Sequence, residues 1–459
     1  MLPDAFVKRL KTQKYLDAGQ LTEALSQPSP VSVRINTRKW NRVPEGSSPV
    51  SWCPEGHYLD KRPSFTSDPL FHSGCYYPQE ASGMFIGEAF RQVADTGRYL
   101  RVLDLCAAPG GKSTHLSSLI GPGGLLVANE VIRQRASILA DNITRWGAAN
   151  TIITQNDPAQ FSSLPGFFDL ILVDAPCSGE GMFRDAVARR EWSEENASLC
   201  AERQKRILTD VWPALKEGGI LIYSTCTFNP SENEENILWL VDRTGAEPVR
   251  LDTENHRDIT EIEHKIIWGY GFYPGRIKGE GLFISVIRKT DKSGNTVIKE
   301  RKVNEPKLSK EDLKIAGGLT SFPDISLVKE GEEIISAAGT KEDYLYLGRK
   351  LRIIKNGTSI CRLKNRGFIP SHQLALSEGY KTDAFPVVEL DYRQAIFFLR
   401  RENLVRDGLP KGWLAVTWKG VNLGFINNIG NRINNYYPMN WRIRMEVAGD
   451  GTDNIIEWQ

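Results

Sequence analysis

Three apolar runs in this chain of 459 residues end alike, each in a loop that carries a cysteine. Tyr99–Leu103 runs into Asp104-Leu-Cys-Ala-Ala-Pro-Gly-Gly-Lys-Ser-Thr114, and Phe168–Val173 into Asp174-Ala-Pro-Cys-Ser-Gly-Glu-Gly181. The run from Ile220 leads into Ser224-Thr-Cys-Thr-Phe-Asn-Pro230. Open α/β sheets bind ligands in the crevice outside the carboxyl ends of their strands. Cys106, Cys177 and Cys226 are therefore expected in one cluster of strand-end loops.

From Leu100 to Arg288 strands and helices alternate, which predicts an α/β domain on a largely parallel sheet. The expected strands are Arg101–Leu105, Leu125–Asn129, Thr151–Thr154, Phe168–Val173 and Ile220–Ser224. Ile132, Ala136, Leu139, Ile143 and Trp146 fall at helical spacing and Gly147 stops that helix. A second helix is read over Ala197–Leu215, and Ser231-Glu-Asn-Glu234 has capping-box form. Gly271–Arg288 reads as two short strands around a glycine-rich turn, an antiparallel edge pair. Upstream, Val31–Asn36 is strand-like, residues 40–80 look irregular, and a helix opens after Pro78 through Met84, Phe85, Ala89 and Val93. The boundaries expected are an N-terminal extension at 1–75, the α/β domain at 76–289, a Lys/Glu-rich linker at 290–314, an intermediate α+β unit at 315–398 and an all-β unit at 399–459.

A quarter of the residues are charged but the net charge is only +2, so affinity for a polyanion must come from local patches. Seven cysteines without Cys-x-x-Cys spacing read as free thiols of a reducing cytosol, and six scattered histidines predict no metal site. No apolar run reaches the roughly 18 residues that span a membrane, and no signal-peptide core opens the chain. A cytoplasmic protein is expected.

The first loop resembles a phosphate-binding P-loop only at Gly111-Lys-Ser113. The glycine that pattern needs five positions earlier is Cys106, and Pro109 removes one amide donor. Glu130 closes the next strand about 20 residues on, placed to accept both ribose hydroxyls. Asp157 ends the third strand, within reach of an adenine amino group. A nucleoside held by two carboxylates without a phosphate cradle points to S-adenosylmethionine (SAM), with Cys106, Ala107, Ala108, Pro109, Gly110, Gly111 and Lys112 as the loop that receives it.

The remaining cysteines suggest what is methylated. Carbon 5 of a pyrimidine is a poor nucleophile until a thiolate adds to carbon 6. Cys177 and Cys226 both stand where such a thiolate is needed, and the residues alone leave the choice open. Asp174 is the candidate to stabilise charge at the pyrimidine N3 edge.

Asp104-Leu-Cys-Ala-Ala-Pro-Gly-Gly-Lys112, Asp174-Ala-Pro-Cys-Ser-Gly-Glu-Gly181 and Ser224-Thr-Cys226 together resemble, in order, the motifs of the Nop/Sun family of RNA cytosine-C5 methyltransferases. Gly412-Trp-Leu, Lys419-Gly-Val-Asn-Leu-Gly-Phe425 and Asn431-Arg-Ile-Asn-Asn-Tyr-Tyr-Pro438 are similar to the PUA-like tail of its bacterial RsmF branch. The resemblance implies a Rossmann-like SAM-dependent sheet, mostly parallel with an antiparallel edge, flanked by an RNA-binding N-terminal extension and a PUA-like RNA-binding unit. It makes Cys226 the nucleophile and Cys177 the residue that assists product release, with Asp174, Glu130 and Asp157 contacting cofactor or cytosine. Gln204 and Lys205 flank the site in this reading. The implied product is 5-methylcytosine in RNA, with small-subunit (16S) ribosomal RNA or the small subunit as partner. The alternatives are transfer RNA as substrate, or a catalytically idle assembly factor. RNA contact is expected from Lys8–Lys14, Arg34–Arg42, Arg349–Arg366 and the Tyr436, Tyr437, Trp441 group; a monomer without metal or membrane partner is expected.

Overall fold

A computed structural model describes residues 2–291, 308–323, 326–402, 404, 408–445 and 454–459. Two short helices, α1 (Asp4–Leu10) and α2 (Ala18–Ala24), precede an antiparallel sheet. That sheet has the order β2-β3-β1-β4, from β1 (Val31–Ile35), β2 (Ser48–Val50), β3 (Cys53–Leu59) and β4 (Tyr76–Pro78). The stretch read as irregular thus holds two paired strands and a helix, α3 (Pro69–His72). Pro49 and Pro54 hid them, yet β3 alternates from Glu55 onward, with Gly56 and Tyr58 buried and Glu55, His57 and Leu59 less so. Helix α4 (Phe85–Val93) follows, behind a single tight turn at Ser82–Met84.

The centre of the molecule is a ten-stranded sheet. Its parallel core comprises β5 (Arg101–Asp104), β6 (Leu125–Asn129), β7 (Thr151–Thr154), β8 (Phe168–Asp174) and β9 (Leu215–Thr225) in the order β9-β8-β5-β6-β7. Strands β6 and β7 are buried at every position, as expected of strands with helices on both faces. Helix α5 (Gly111–Ile120) crosses from β5 to β6 and α6 (Arg133–Trp146) from β6 to β7, the latter ending on left-handed Gly147. Beyond α7 (Ala186–Glu191), α8 (Glu194–Val211) starts three residues before Ala197, on the side chain of Ser193. It stops before Leu215, because Pro213 converts its end to a tight turn and Leu215 enters β9. After α9 (Glu234–Thr244) come β10 (Glu247–Val249), β11 (Thr260–His264), β12 (Ile267–Phe272) and β13 (Leu282–Arg288). β13 pairs antiparallel with β9, and β12 and β11 follow outward, the expected antiparallel edge.

Residues 292–307 of the expected linker lie outside the described residues; its last part enters a helix, Lys310–Leu319, capped by Ser309. Strands β14 (Leu327–Glu330) and β15 (Glu333–Ser336) form a sheet with β17 (Thr358–Leu363) and β18 (Phe368–Pro370). Between them, β16 (Ile353–Asn356) leaves that unit and pairs antiparallel with β7 of the central sheet. The last sheet joins β19 (Val387–Glu389), β20 (Gly412–Trp418), β21 (Val421–Asn428) and β22 (Ile433–Asn435). It packs on a helix, Tyr392–Arg400, and its core is shared with the N-terminal sheet: Val33, Trp40 and Tyr76 lie in one apolar cluster with Leu414, Ile426 and Tyr437.

Candidate active site

The switch point of the sheet lies between β5 and β8, and the three cysteine loops leave the carboxyl ends of β5, β8 and β9. The first loop turns through Gly110, whose φ of 117° only glycine adopts readily, and α5 begins at Gly111. Beneath it Asp104 is 1% exposed; Ser113 Oγ donates to its Oδ2 at 2.6 Å, and its Oδ1 has no partner among the described residues. Burial pushes this carboxyl up to about 7. Arg34, fully enclosed, reaches in from β1, donating to Thr114 Oγ1 at 2.6 Å and Gly111 O at 3.2 Å while stacking on Trp146. Burial lowers its guanidinium to about 10. Glu130 is buried after β6, where its carboxylate accepts Ile132 N–H at 2.9 Å and pairs with Arg135 at 3.3 Å. Asp157 is exposed after β7 and caps the following turn.

A cavity of about 550 Å³ opens beside this loop. Cys106 to Pro109, Gly111, Lys112, Asp174 and Cys226 all line it; Gly110, Glu130, Asp157 and Cys177 stand outside its wall. Lys112 Nζ is 2.7 Å from Asp174 Oδ2, and Ser224 Oγ donates to Asp174 Oδ1 at 2.7 Å. Burial works against the Lys112 ammonium, but the facing carboxylate outweighs it and raises the lysine. The sulfurs of Cys177 and Cys226 are 3.0 Å apart, and Cys226 N–H donates to Cys177 Sγ at 3.3 Å. Hydrogen bonding to Cys226, and then burial, hold the Cys177 thiol well above the usual range. The Cys106 thiol is also raised, by enclosure and by nearby Asp104 and Asp174.

Two acids that sequence reasoning passed over fasten the cysteine loops together. Glu232, downstream of Cys226, accepts Ser178 N–H at 2.9 Å and also bonds Ser178 Oγ and Thr227 Oγ1. Glu180, downstream of Cys177, accepts Phe228 N–H at 3.2 Å, Trp192 Nε1 at 3.0 Å and Arg9 NH2 at 2.6 Å. Each loop thus supplies a buried carboxylate to the other. The expected capping box does not form: α9 starts at Glu234 behind Asn233, without a side-chain cap. Gln204 is buried behind the same loops, donating to Pro176 O and Glu232 Oε2 at 3.0 Å, whereas Lys205 faces outward to Glu202. The acids' closeness to cysteine motifs was the only signal in sequence.

Several basic residues expected to face RNA point inward. Besides Arg9 and Arg34, Lys39 donates to Ser73 O and Arg145 O, and burial lowers it to about 8. Burial does the same to Lys355. Lys8, Lys11, Lys14, Arg349, Lys350, Arg352 and Arg366 remain exposed. Tyr437 is core, at 0% exposure, and Tyr436 packs on Trp413.

Family models match along the chain: the RsmF N-terminal domain over 2–81, the 16S rRNA methyltransferase RsmB/F domain over 95–288 and the RsmF PUA domain over 385–443. Ribosomal RNA small subunit methyltransferase F of Salmonella agona (strain SL483) is 32% identical, over 95% of this chain and 95% of its own. The chain belongs to the RsmF family of RNA methyltransferases. The same enzyme of Aliivibrio fischeri is 31% identical over 95% of this chain and 97% of its own. Among solved structures, a methyltransferase homolog protein from Pyrococcus horikoshii is 31% identical, covering 59% of this chain and 90% of its own, with TM-score 0.51. NSun6 from Pyrococcus horikoshii, solved with the SAM analogue SFG, shares the fold at 19% identity, TM-score 0.51, covering 63% of this chain and 98% of its own. The RsmF family places this chain among SAM-dependent methyltransferases with a PUA domain.

Proposed function

We propose that this enzyme forms 5-methylcytosine in 16S ribosomal RNA with Cys226 as nucleophile. The observation that carries the reading is that Cys226 and Asp174 line one cavity with the glycine loop, with a second thiol 3.0 Å from the first.

The residues would suit SAM as methyl donor: Asp104 lines the cavity with an oxygen that meets no partner among the described residues and would accept from the ammonium of a bound amino acid, while Glu130 and Asp157, outside the cavity wall after β6 and β7, are the acids left for the nucleoside. Bound there, SAM supplies the methyl group. Cys226 adds as thiolate to carbon 6 of cytosine, and the electron pair of the opened double bond becomes available at carbon 5. Asp174, oriented by Lys112 and Ser224, holds the N3 edge. Once carbon 5 carries its methyl, transfer of the carbon-5 proton to a base such as solvent water lets the C6–S bond break, releasing Cys226 as thiolate and restoring the ring. Cys177 keeps its proton and assists that release. The target base must leave its stack to reach the sulfur, which favours open RNA. The enzyme works as a cytoplasmic monomer on ribosomal RNA or the small subunit, with its PUA unit binding RNA.

The test is a pair of variants incubated with 16S transcript and labelled SAM. Cys226→Ala yields neither adduct nor product, and Cys177→Ala accumulates a covalent protein–RNA adduct. The reverse pattern swaps the two roles. Methylation of transfer RNA but not 16S transcript moves the substrate, and RNA binding without any methyl incorporation leaves an idle assembly factor.

A further inference from the structure

The cavity extends past the atoms that methylation uses. From Cys226 and Lys112 its wall continues to Tyr77, Phe65, Arg62 and Met182. At about 550 Å³ it has the size of a single small-molecule site, which methyl donor and cytosine would largely fill, so these outer residues form its mouth. Phe65 is half-buried and fixed: it opens a tight turn at Phe65–Ser67, packs on Tyr76 at 6.1 Å, and follows Ser64, whose N–H donates to Asn454 O at 2.7 Å. The exposed Arg62 guanidinium lies 5.6 Å from the Phe65 ring and makes no ion pair among the described residues. Met182, on the Cys177 loop, is 51% exposed, unusual for so apolar a side chain. An anchored aromatic ring, a guanidinium held over it without an ion pair among the described residues, and an adaptable thioether on one cavity wall have the chemistry of a nucleobase-stacking platform with an adjoining phosphate contact.

We propose that Phe65 and Arg62 form a shelf for the nucleotide next to the target cytidine, its base stacked on Phe65 and its phosphate held by Arg62. This rests on the reading of the enzyme as an RNA methyltransferase and adds to it that the N-terminal unit takes part in substrate recognition at the catalytic cavity. Stacking of this kind tolerates any base, so the shelf holds the strand while other contacts choose the site.

The experiment measures RNA affinity and methylation separately on 16S transcript. Phe65→Ala and Phe65→Leu are each expected to weaken RNA binding and raise KM by roughly 5- to 100-fold, as loss of one stacked base does. Phe65→Trp retains affinity, and SAM affinity is unchanged throughout. Phe65→Leu keeps apolar packing on Tyr76, so its loss separates stacking from misfolding, which melting temperature monitors. An abasic nucleotide beside the methylated cytidine should weaken wild type but not Phe65→Ala. Unchanged RNA affinity in Phe65→Leu, or weakened SAM affinity in its place, overturns the shelf. Absence of methylation by wild type would instead sink the catalytic reading, and the RNA-affinity comparison still decides the shelf.

Discussion

Arg9 and Glu180 lie 171 positions apart and meet at 2.6 Å, the arginine 22% exposed and the glutamate fully buried. The first helix of the chain is thereby tied to the loop that carries Cys177. Removing the cation leaves a buried carboxylate with only Trp192 and Phe228 as donors among the described residues. Arg9→Ala is expected to cost about 1–3 kcal/mol in urea unfolding. Adding Glu180→Gln should recover part of that loss, since it removes the stranded charge. A double variant no more stable than Arg9→Ala alone would count against the pair.

The 3.0 Å between Cys177 and Cys226 is about 1 Å more than a disulfide bond. A thiol-selective two-electron oxidant is expected to take both thiol hydrogens and join the sulfurs, abolishing methyl transfer while SAM affinity persists. Dithiothreitol then restores activity. Peptide mapping that finds neither cysteine in a disulfide after oxidative inactivation rules this out.

Arg34 supports the glycine loop from outside the sheet that carries it. Arg34→Ala is expected to weaken SAM binding at least tenfold, about 1.4 kcal/mol. Arg38→Ala, which removes a surface pair with Glu378 and a long bond to Ser118 O at the far end of α5, leaves it unchanged. Calorimetric titration of both variants with SAM checks the contrast.

Asp104 makes a pH prediction. Its value of about 7 in the folded protein lies above the 3.8 of the free side chain, so the folded state binds the proton more tightly. Its contribution is fully present below pH 4 and declines as pH rises to about 7, with a slope no steeper than about 1.4 kcal/mol per pH unit. The stability difference between wild type and Asp104→Asn, without SAM, should shift in the variant's favour across that window. A difference independent of pH means that Asp104 titrates normally.

Strands β6 and β7 and the stop of α6 at Gly147 were legible residue by residue, because apolar runs bounded by turn residues carry their own signal. The glycine loop, Asp174 and the two thiols were legible as motifs. Glu180, Glu232 and Asp104 were not, since their roles arise from partners brought together only by folding. Arg34, Lys39 and Arg9 were misjudged for the same reason: a basic residue reads as surface until a distant carbonyl, carboxylate or indole encloses it. Strands β2 and β3 were obscured by prolines, which an edge strand tolerates.

Strand β16 occupies the side of β7 that the parallel core leaves bare. Cutting the chain at residue 288, where the RsmB/F match ends, would strip that cover and expose a row of unsatisfied amides along Thr151–Thr154. The excised catalytic unit should therefore recruit other chains edge to edge. The C-terminal half of this polypeptide thus guards its neighbour against self-association, quite apart from any hold it has on RNA.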